Sequence, residues 1–147
     1  MFSQTAEYAL RAVVSLADSD GQPLTTQQIA KITQVPLDYL SKVMQALGRF
    51  GLVESQRGKH GGFRLARPAN LVSILDVLNA VDPPARIRHC PLHLKAHGRQ
   101  LCPLHQRLDN VLGALEKEFA ATAISDLLGK DSDIRPLCAI NIKEAHA

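Results

Sequence analysis

Ala6, Leu10, Val13, Val14 and Ala17 recur at steps of three and four residues. That is the period of a helix with one buried face, and it predicts a first helix over 3–17. Asp18, Ser19, Asp20, Gly21 and Pro23 then break the pattern. Thr25 followed three residues later by Gln28 has the spacing of a capping box, and starts a short second helix reaching Lys31 or Ile32. Pro36 suits the first turn of a third helix whose buried stripe is Leu37, Leu40, Val43, Met44 and Leu47, with Gly51 placed to end it. The connection Thr33 to Val35 has the length of the turn in a helix-turn-helix. Past Gly51 the period changes to short alternating runs, Leu52 to Gln56 and Phe63 to Ala66, around a glycine-rich tip, which predicts a β-hairpin.

Ser73 to Ala80 reads as a fourth helix, with Ser73 and Asp76 spaced as a cap and its partner. Asp82, Pro83 and Pro84 make the boundary between a first half, 1–82, and a second, 83–147. Residues 85–101 show no period. Pro103 opens a long helix to about Ala121, Thr122 to Leu128 adds a further turn or two, and the tail past Gly129 is expected to be loosely held. Leu101, Leu104, Leu108, Val111 and Leu115 are spaced three, four, three and four, the seam of two helices packed together. Little chain remains to cover that seam, so a second copy is the simplest partner. The fold class is mainly α with a small β-hairpin wing: a winged helix-turn-helix plus a long C-terminal dimerisation helix.

With 147 residues the chain is too short for two large catalytic lobes. Aromatics are only 4%, so the core is built from aliphatic side chains. The net charge of +3 is too mild to argue for nucleic acid, but its distribution is not: residues 1–67 hold eight basic and five acidic groups, and the remainder nine of each. No basic start with an apolar run behind it and no membrane-length apolar stretch occurs, so a cytoplasmic protein without a membrane partner is expected.

A helix-turn-helix followed by a hairpin sets the third helix in the major groove and the hairpin on the flanking backbone or minor groove. The third helix offers Asp38, Tyr39, Ser41, Lys42 and Gln45 to base edges and phosphates. Thr26 and Gln28, at the start of the second helix, join the DNA-contacting set. The hairpin tip adds Arg57, Lys59 and His60, with Arg57 the candidate for minor-groove insertion. The bland alternative is a solvated basic face on an interaction module. A nucleotide loop is excluded because strands flank the glycines and no helix follows to receive a phosphate.

The segment Cys90-Pro91-Leu92-His93 is repeated as Cys102-Pro103-Leu104-His105, with His97 between the copies, and four of the six histidines fall between His89 and His105. Two Cys-x-x-His pairs supply thiolates and imidazoles suited to tetrahedral zinc or to a two-iron cluster of mixed ligation. Cys102 and His105 lie one helical turn apart. The metal candidates are Cys90, His93, His97, Cys102 and His105. Arg86, Arg88, His89, Lys95 and Arg99 surround them, and their charge is expected to favour thiolates. Cys138 is a spare thiol. Buried cysteines and surface histidines joined by a chance repeat are the alternative.

Glu7-Tyr8-Ala9-Leu10-Arg11-Ala12, Leu40 to Val53, Arg57 to Phe63, Val77 to Asp82, Cys102 to His105 and Ala123 to Leu128 together resemble the bacterial winged-helix repressor family called Rrf-two, which includes IscR and NsrR. The resemblance implies a homodimeric regulator binding a pseudo-palindromic operator in double-stranded DNA, with affinity set by an iron-sulfur cluster, [2Fe-2S] being favoured, beside the dimerisation helix. Cluster-binding relatives carry three cysteines about six residues apart, and some add a histidine. Cys90 matches the first, Cys102 the third and His105 the added histidine. The middle cysteine is missing here; His97 falls nearest its place, with His93 as rival. Some relatives take an acidic ligand from the first helix of the other subunit, and Glu7 occupies that position, although it could equally pair with Arg11. Imidazole in place of thiolate raises a cluster's potential or shifts preference to zinc. The sequence thus reads as a redox, nitric-oxide or iron-sulfur sensor that is not an enzyme. The alternatives are a zinc-stabilised or cofactor-free repressor, and a metal-dependent hydrolase for which no acid-base pair is suggested.

Overall fold

The computed structural model describes residues 2–129 and 136–137. Five helices lie in the order α1 (Gln4–Asp18), α2 (Thr26–Thr33), α3 (Leu37–Arg49), α4 (Ile74–Val81) and α5 (Pro103–Ala121), with a hairpin of β1 (Val53–Gln56) and β2 (Gly62–Leu65) between α3 and α4. Short 3-10 turns occupy Ala69–Leu71, Lys95–His97 and Ile124–Leu128. This is the expected winged-helix order. Cys138 and the tail past Gly129, apart from 136–137, lie outside the described residues.

Local chemistry sets the helix ends. Ser3 caps α1 by accepting from the Ala6 N–H at 3.1 Å. Thr25 and Gln28 close a full capping box at α2, and Ser73 and Asp76 another at α4. Pro36 stands at the N-cap of α3, one position earlier than the sequence suggests, and Gly51 follows its end with φ +82°. Ala9, Ala12, Val13 and Leu16 of α1 pack with Ile29 and Ile32 of α2 and with Leu40, Val43, Met44 and Leu47 of α3. Each fully buried Val, Leu, Ile or Met side chain of this set contributes about 1.5–3 kcal/mol. Leu37 departs from the predicted stripe: at the first turn of α3 it is 42% exposed.

The wing is tied to the helices. The Leu24 N–H donates to the Phe63 carbonyl at 2.9 Å, and the Phe63 N–H returns to the Leu24 carbonyl at 2.7 Å. Leu24 is fully buried, so the residues before α2 act as a one-residue third strand beside β2. The chain also crosses back after α5. Ser73 bridges Ala123, the Ile124 N–H donates to the Val72 carbonyl at 2.8 Å, and Ile124 is fully buried in the first-half core. The end of α5 is therefore stitched to the first half, across the Pro83-Pro84 boundary.

An ion pair fixes the other end. Arg86 straddles Asp109 of α5 with Nε to Oδ1 and Nη2 to Oδ2 both at 2.8 Å, and reaches Glu116 from Nη1 at 3.0 Å. The Ile87 N–H adds a bond to Asp109 at 2.9 Å. Gly113 makes room, since a Cβ there would lie 3.0 Å from the Arg86 guanidinium. The Arg86 hydrogen bonds, followed by that of Ile87, hold the Asp109 carboxyl at a pKa of about 2 against burial. A carboxyl depressed from 3.8 stabilises the fold above its unfolded pKa and loses that contribution as pH falls through its folded one. Asp109→Asn is accordingly expected to melt below wild type at pH 7, with the gap closing between pH ~4 and ~2 in thermal scans. A gap independent of pH would contradict this role.

Candidate nucleic-acid interface and cysteine-histidine segment

On α3, Asp38, Ser41, Lys42 and Gln45 share the exposed face opposite the core stripe. Ser41 donates to the Leu37 carbonyl at 3.1 Å, which leaves its lone pairs outward. Tyr39 is placed differently from its neighbours. Its hydroxyl and that of Thr5 hydrogen-bond to each other, and its ring stands edge-on to Tyr8 at 5.4 Å. Tyr39 therefore positions α3 on α1. Gln28 serves the α2 cap, its side-chain oxygen accepting from the Thr25 N–H at 2.8 Å, while Thr26 is half-buried beside it.

Arg57, Lys59 and His60 are exposed at the wing tip. Arg64 pairs with Glu54 across the hairpin at 2.6 Å, but Lys42, Arg57 and Lys59 make no ion pair among the described residues. Two long cations on the tip and one on α3, without ion pairs among the described residues, form a surface that attracts a polyanion without first breaking internal contacts. The tip also needs its glycines. A Cβ on Gly61 would fall 2.4 Å from the Gln56 carbonyl, and one on Gly62, at φ +145°, would fall 2.6 Å from the Leu24 carbonyl. Leu24 was invisible as a strand residue in the sequence; the only signal was a lone apolar position between Pro23 and the Thr25 cap.

The cysteine-histidine segment forms two pairs. Cys90 is buried, and two successive turns, His93 N–H to the Cys90 carbonyl at 2.9 Å and His97 N–H to the Leu94 carbonyl at 3.0 Å, fold the chain after it. The Leu94 N–H first, then the His97 ring and the Leu92 N–H, stabilise the thiolate against desolvation and bring the Cys90 pKa to about 7. The sequence suggests that role for the surrounding basic side chains, Arg86, Arg88, His89, Lys95 and Arg99. Arg86, however, is spent on Asp109 and Glu116, and backbone N–H groups near Cys90 do the work instead. His97 Nδ1 is sealed from solvent with no hydrogen-bond partner.

Cys102 stands at the N-cap position of α5 without a side-chain capping bond, and its sulfur lies 3.3 Å from His105 Nδ1. His93 is exposed on a left-handed residue, φ +53°, and Glu7 is engaged by Arg11 at 3.0 Å. The donors suit a thiolate-imidazole centre in kind, and the orphaned His97 nitrogen is the atom such a centre would satisfy. Among the described residues, however, no three His, Cys, Asp or Glu side chains are gathered closely enough to hold a metal ion.

Gly62→Ala is expected to cost about 1–3 kcal/mol, because the close approach to Leu24 and the positive φ both resist a side chain. It should weaken DNA binding through displacement of the wing. Denaturant melts and mobility-shift titrations check this, and a variant of unchanged stability would contradict it.

The family model Rrf2, described as iron-dependent transcriptional regulator, matches residues 2–130. An HTH-type transcriptional regulator of Aquifex aeolicus is 29% identical over 149 residues, covering 99% of this chain and 95% of its own. In fold the chain is similar to T. potens IscR, with TM-score 0.74, 21% identity, and 90% of this chain and 89% of that one covered. It is also similar to CymR, the global cysteine regulator of B. subtilis, with TM-score 0.73, 21% identity and 86% and 95% covered. These relatives are transcriptional regulators and not enzymes, and no helix among the described residues is long and apolar enough to cross a membrane. The helix-turn-helix, the tethered basic wing and the match across almost the whole chain place this protein in the Rrf2 family of transcriptional regulators.

Proposed function

We propose that the protein is a cytoplasmic, homodimeric repressor that binds a pseudo-palindromic operator with α3 in the major groove and the wing tip on the flanking strand. The observation that carries this reading is the set of exposed cations without ion-pair partners among the described residues, Lys42 on α3 and Arg57 and Lys59 on the wing, whose strand β2 is tied to the residue ahead of the α2 cap by the Leu24–Phe63 bridge. Residues 1–82 carry the reader, and 83–147 carry the sensing segment, the dimerisation helix and the tail.

The dimer is supported by α5. Leu104, Leu108, Val111 and Leu115 are 63%, 46%, 54% and 47% exposed on the single chain. A stripe of aliphatic side chains this long on a lone chain favours association. Two copies supply two readers, which a single small module needs for useful affinity.

Control is assigned to the cysteine-histidine segment. Cys90 with His97, and Cys102 with His105, would hold the group, with [2Fe-2S] the favoured occupant and zinc the second. A bound cluster would supply a redox-active iron centre open to nitric oxide. Zinc would supply only a cross-link. The protein's own part is positional: the Arg86–Asp109 clamp and Cys102, at the N-cap position, set both ends of the segment on α5.

Arg57→Ala or Lys42→Ala is expected to weaken binding to a duplex selected from a random pool and to lower the salt slope by about one unit for each phosphate contact removed. Unchanged affinity and slope in both variants would contradict the DNA-facing assignment. Leu108→Glu is expected to shift the protein toward monomer in sedimentation at equal folded content, and a variant that stays dimeric would contradict the α5 seam. Anaerobic purification followed by a visible spectrum with iron, sulfide and zinc analysis identifies the occupant. Holo and apo proteins of equal operator affinity at fixed salt would contradict control by the segment.

A further inference from the structure

A cavity of about 500 Å³ lies where α1, α4, the Pro83-Pro84 linker and α5 meet. That volume is within the roughly 300–1,000 Å³ of small-molecule sites, which favour junctions of this kind. Phe2 comes from the residues before α1, Leu78 from α4, and Leu112, Leu115 and Phe119 from α5. The Phe2 and Phe119 rings, 5.4 Å apart and tilted by 52°, both belong to the lining, so an aromatic or aliphatic body finds rings and alkyl groups around it.

The polar part of the lining is one-sided. Its charged side chain is Asp82, at the C-cap of α4, and the Asp82 carboxylate forms no ion pair or side-chain hydrogen bond among the described residues. The Asp82 N–H donates to the Leu78 carbonyl at 2.8 Å. The next two carbonyls, of Asn79 and Ala80, would be met in a continuing helix by residues 83 and 84, but these are prolines and have no N–H. This end of α4 therefore combines acceptors, a carboxylate and the negative pole of a helix, and lacks donors. Arg86, the nearest cation along the chain, is taken up by Asp109 and Glu116. An anion placed here would meet like charge, and a neutral apolar molecule would leave Asp82 unanswered.

We infer that the cavity binds a small amphipathic cation, an aryl- or alkylammonium, with its apolar body among the phenylalanines and α5 and its ammonium on Asp82. The chain as a whole carries +3 and has no general attraction for a cation, so such binding is local. The site is separate from the cysteine-histidine segment and from the operator-facing surface, and the inference stands without either. Because α1, α4 and α5 all contribute to the lining, an occupant bears on how the three helices sit together. Leu115 belongs both to the lining and to the exposed stripe of α5, which makes a second copy of the chain the rival occupant.

The test is calorimetric titration of the full chain at pH 7 with tryptamine hydrochloride and, in parallel, with sodium indole-3-propionate, on wild type, Asp82→Asn, Ala85→Trp and Leu108→Glu. Circular dichroism controls for folding. Ala85 lines the cavity, so a Trp there fills it without touching the carboxylate. Wild type should bind tryptammonium saturably, with Kd at or below about 1 mM. The indole-3-propionate anion, and tryptammonium on Asp82→Asn or Ala85→Trp, should each bind at least about ten-fold more weakly, and Leu108→Glu should match wild type. The chain has four Phe, two Tyr and no Trp, so magnetisation transfer from the bound indole is readily assigned and should reach the Phe2 and Phe119 rings. No saturable binding by wild type, equal binding of the anion, full binding by Asp82→Asn, or transfer to other rings alone would overturn the inference. Binding by Leu108→Glu but not by wild type would assign the cavity to a second copy and overturn it as well.

Discussion

Arg86 and Asp109 form the bond on which the arrangement of the second half depends. Their two parallel N–H···O contacts at 2.8 Å are the strong, charge-assisted kind, and the Ile87 N–H leaves the buried carboxylate well satisfied. Breaking one partner would strand the other charge in a poorly solvated place, which is why such pairs hold geometry even where their net contribution is small. Arg86 follows directly on Ala85 and the Pro83-Pro84 pair, so the guanidinium sets where the chain leaving α4 meets α5. The Phe2 and Phe119 rings, 5.4 Å apart, hold α5 to the start of α1, and the Ser73–Ala123 bridge fixes its far end. Helix α5 and the turn after it are thus attached to the first half at two places and to the linker after α4 at a third, while its leucine stripe faces outward.

The cysteine-histidine segment starts from that clamp. Residues 88–101 leave α5 at Asp109 and rejoin it at Cys102, seven residues away and about 10 Å along the helix axis. A loop closed on one helix over so short a span passes a change of shape to only two places, the first turn of α5 and the linker held by Arg86. The first bears the stripe, and the second leads to α4 and the reader. A displacement of the segment would therefore reach α4 by a short covalent and ionic route, without a long chain of contacts.

Much of this was readable from residue order because it is local. Capping boxes at Thr25/Gln28 and Ser73/Asp76, Pro103 at the start of α5, the glycine-rich hairpin and the Cys102–His105 turn all depend on residues within a few positions of each other, and each is present as the spacing predicts. What escaped is long-range. Leu24 pairing with Phe63 and Arg86 with Asp109 join residues far apart, and a single apolar or basic position carries no mark of a distant partner. Tyr39 looked like part of the reader because it lies among exposed residues, yet its hydroxyl turns back to Thr5. The stabilisation of Cys90 was legible as a tendency but not in its cause, because N–H groups of the backbone do not appear in a sequence as charges do. Leu37 fits the helical period and is nonetheless exposed, since the period marks a face and not how far the core extends along it.

Stoichiometry on DNA addresses the central idea most directly: sedimentation of the intact chain with a duplex recovered by selection, across a protein titration at fixed salt. Two chains per duplex, bound without a populated one-chain complex, are expected if matched readers are carried by paired α5 helices. A saturated complex of one chain per duplex would contradict that arrangement.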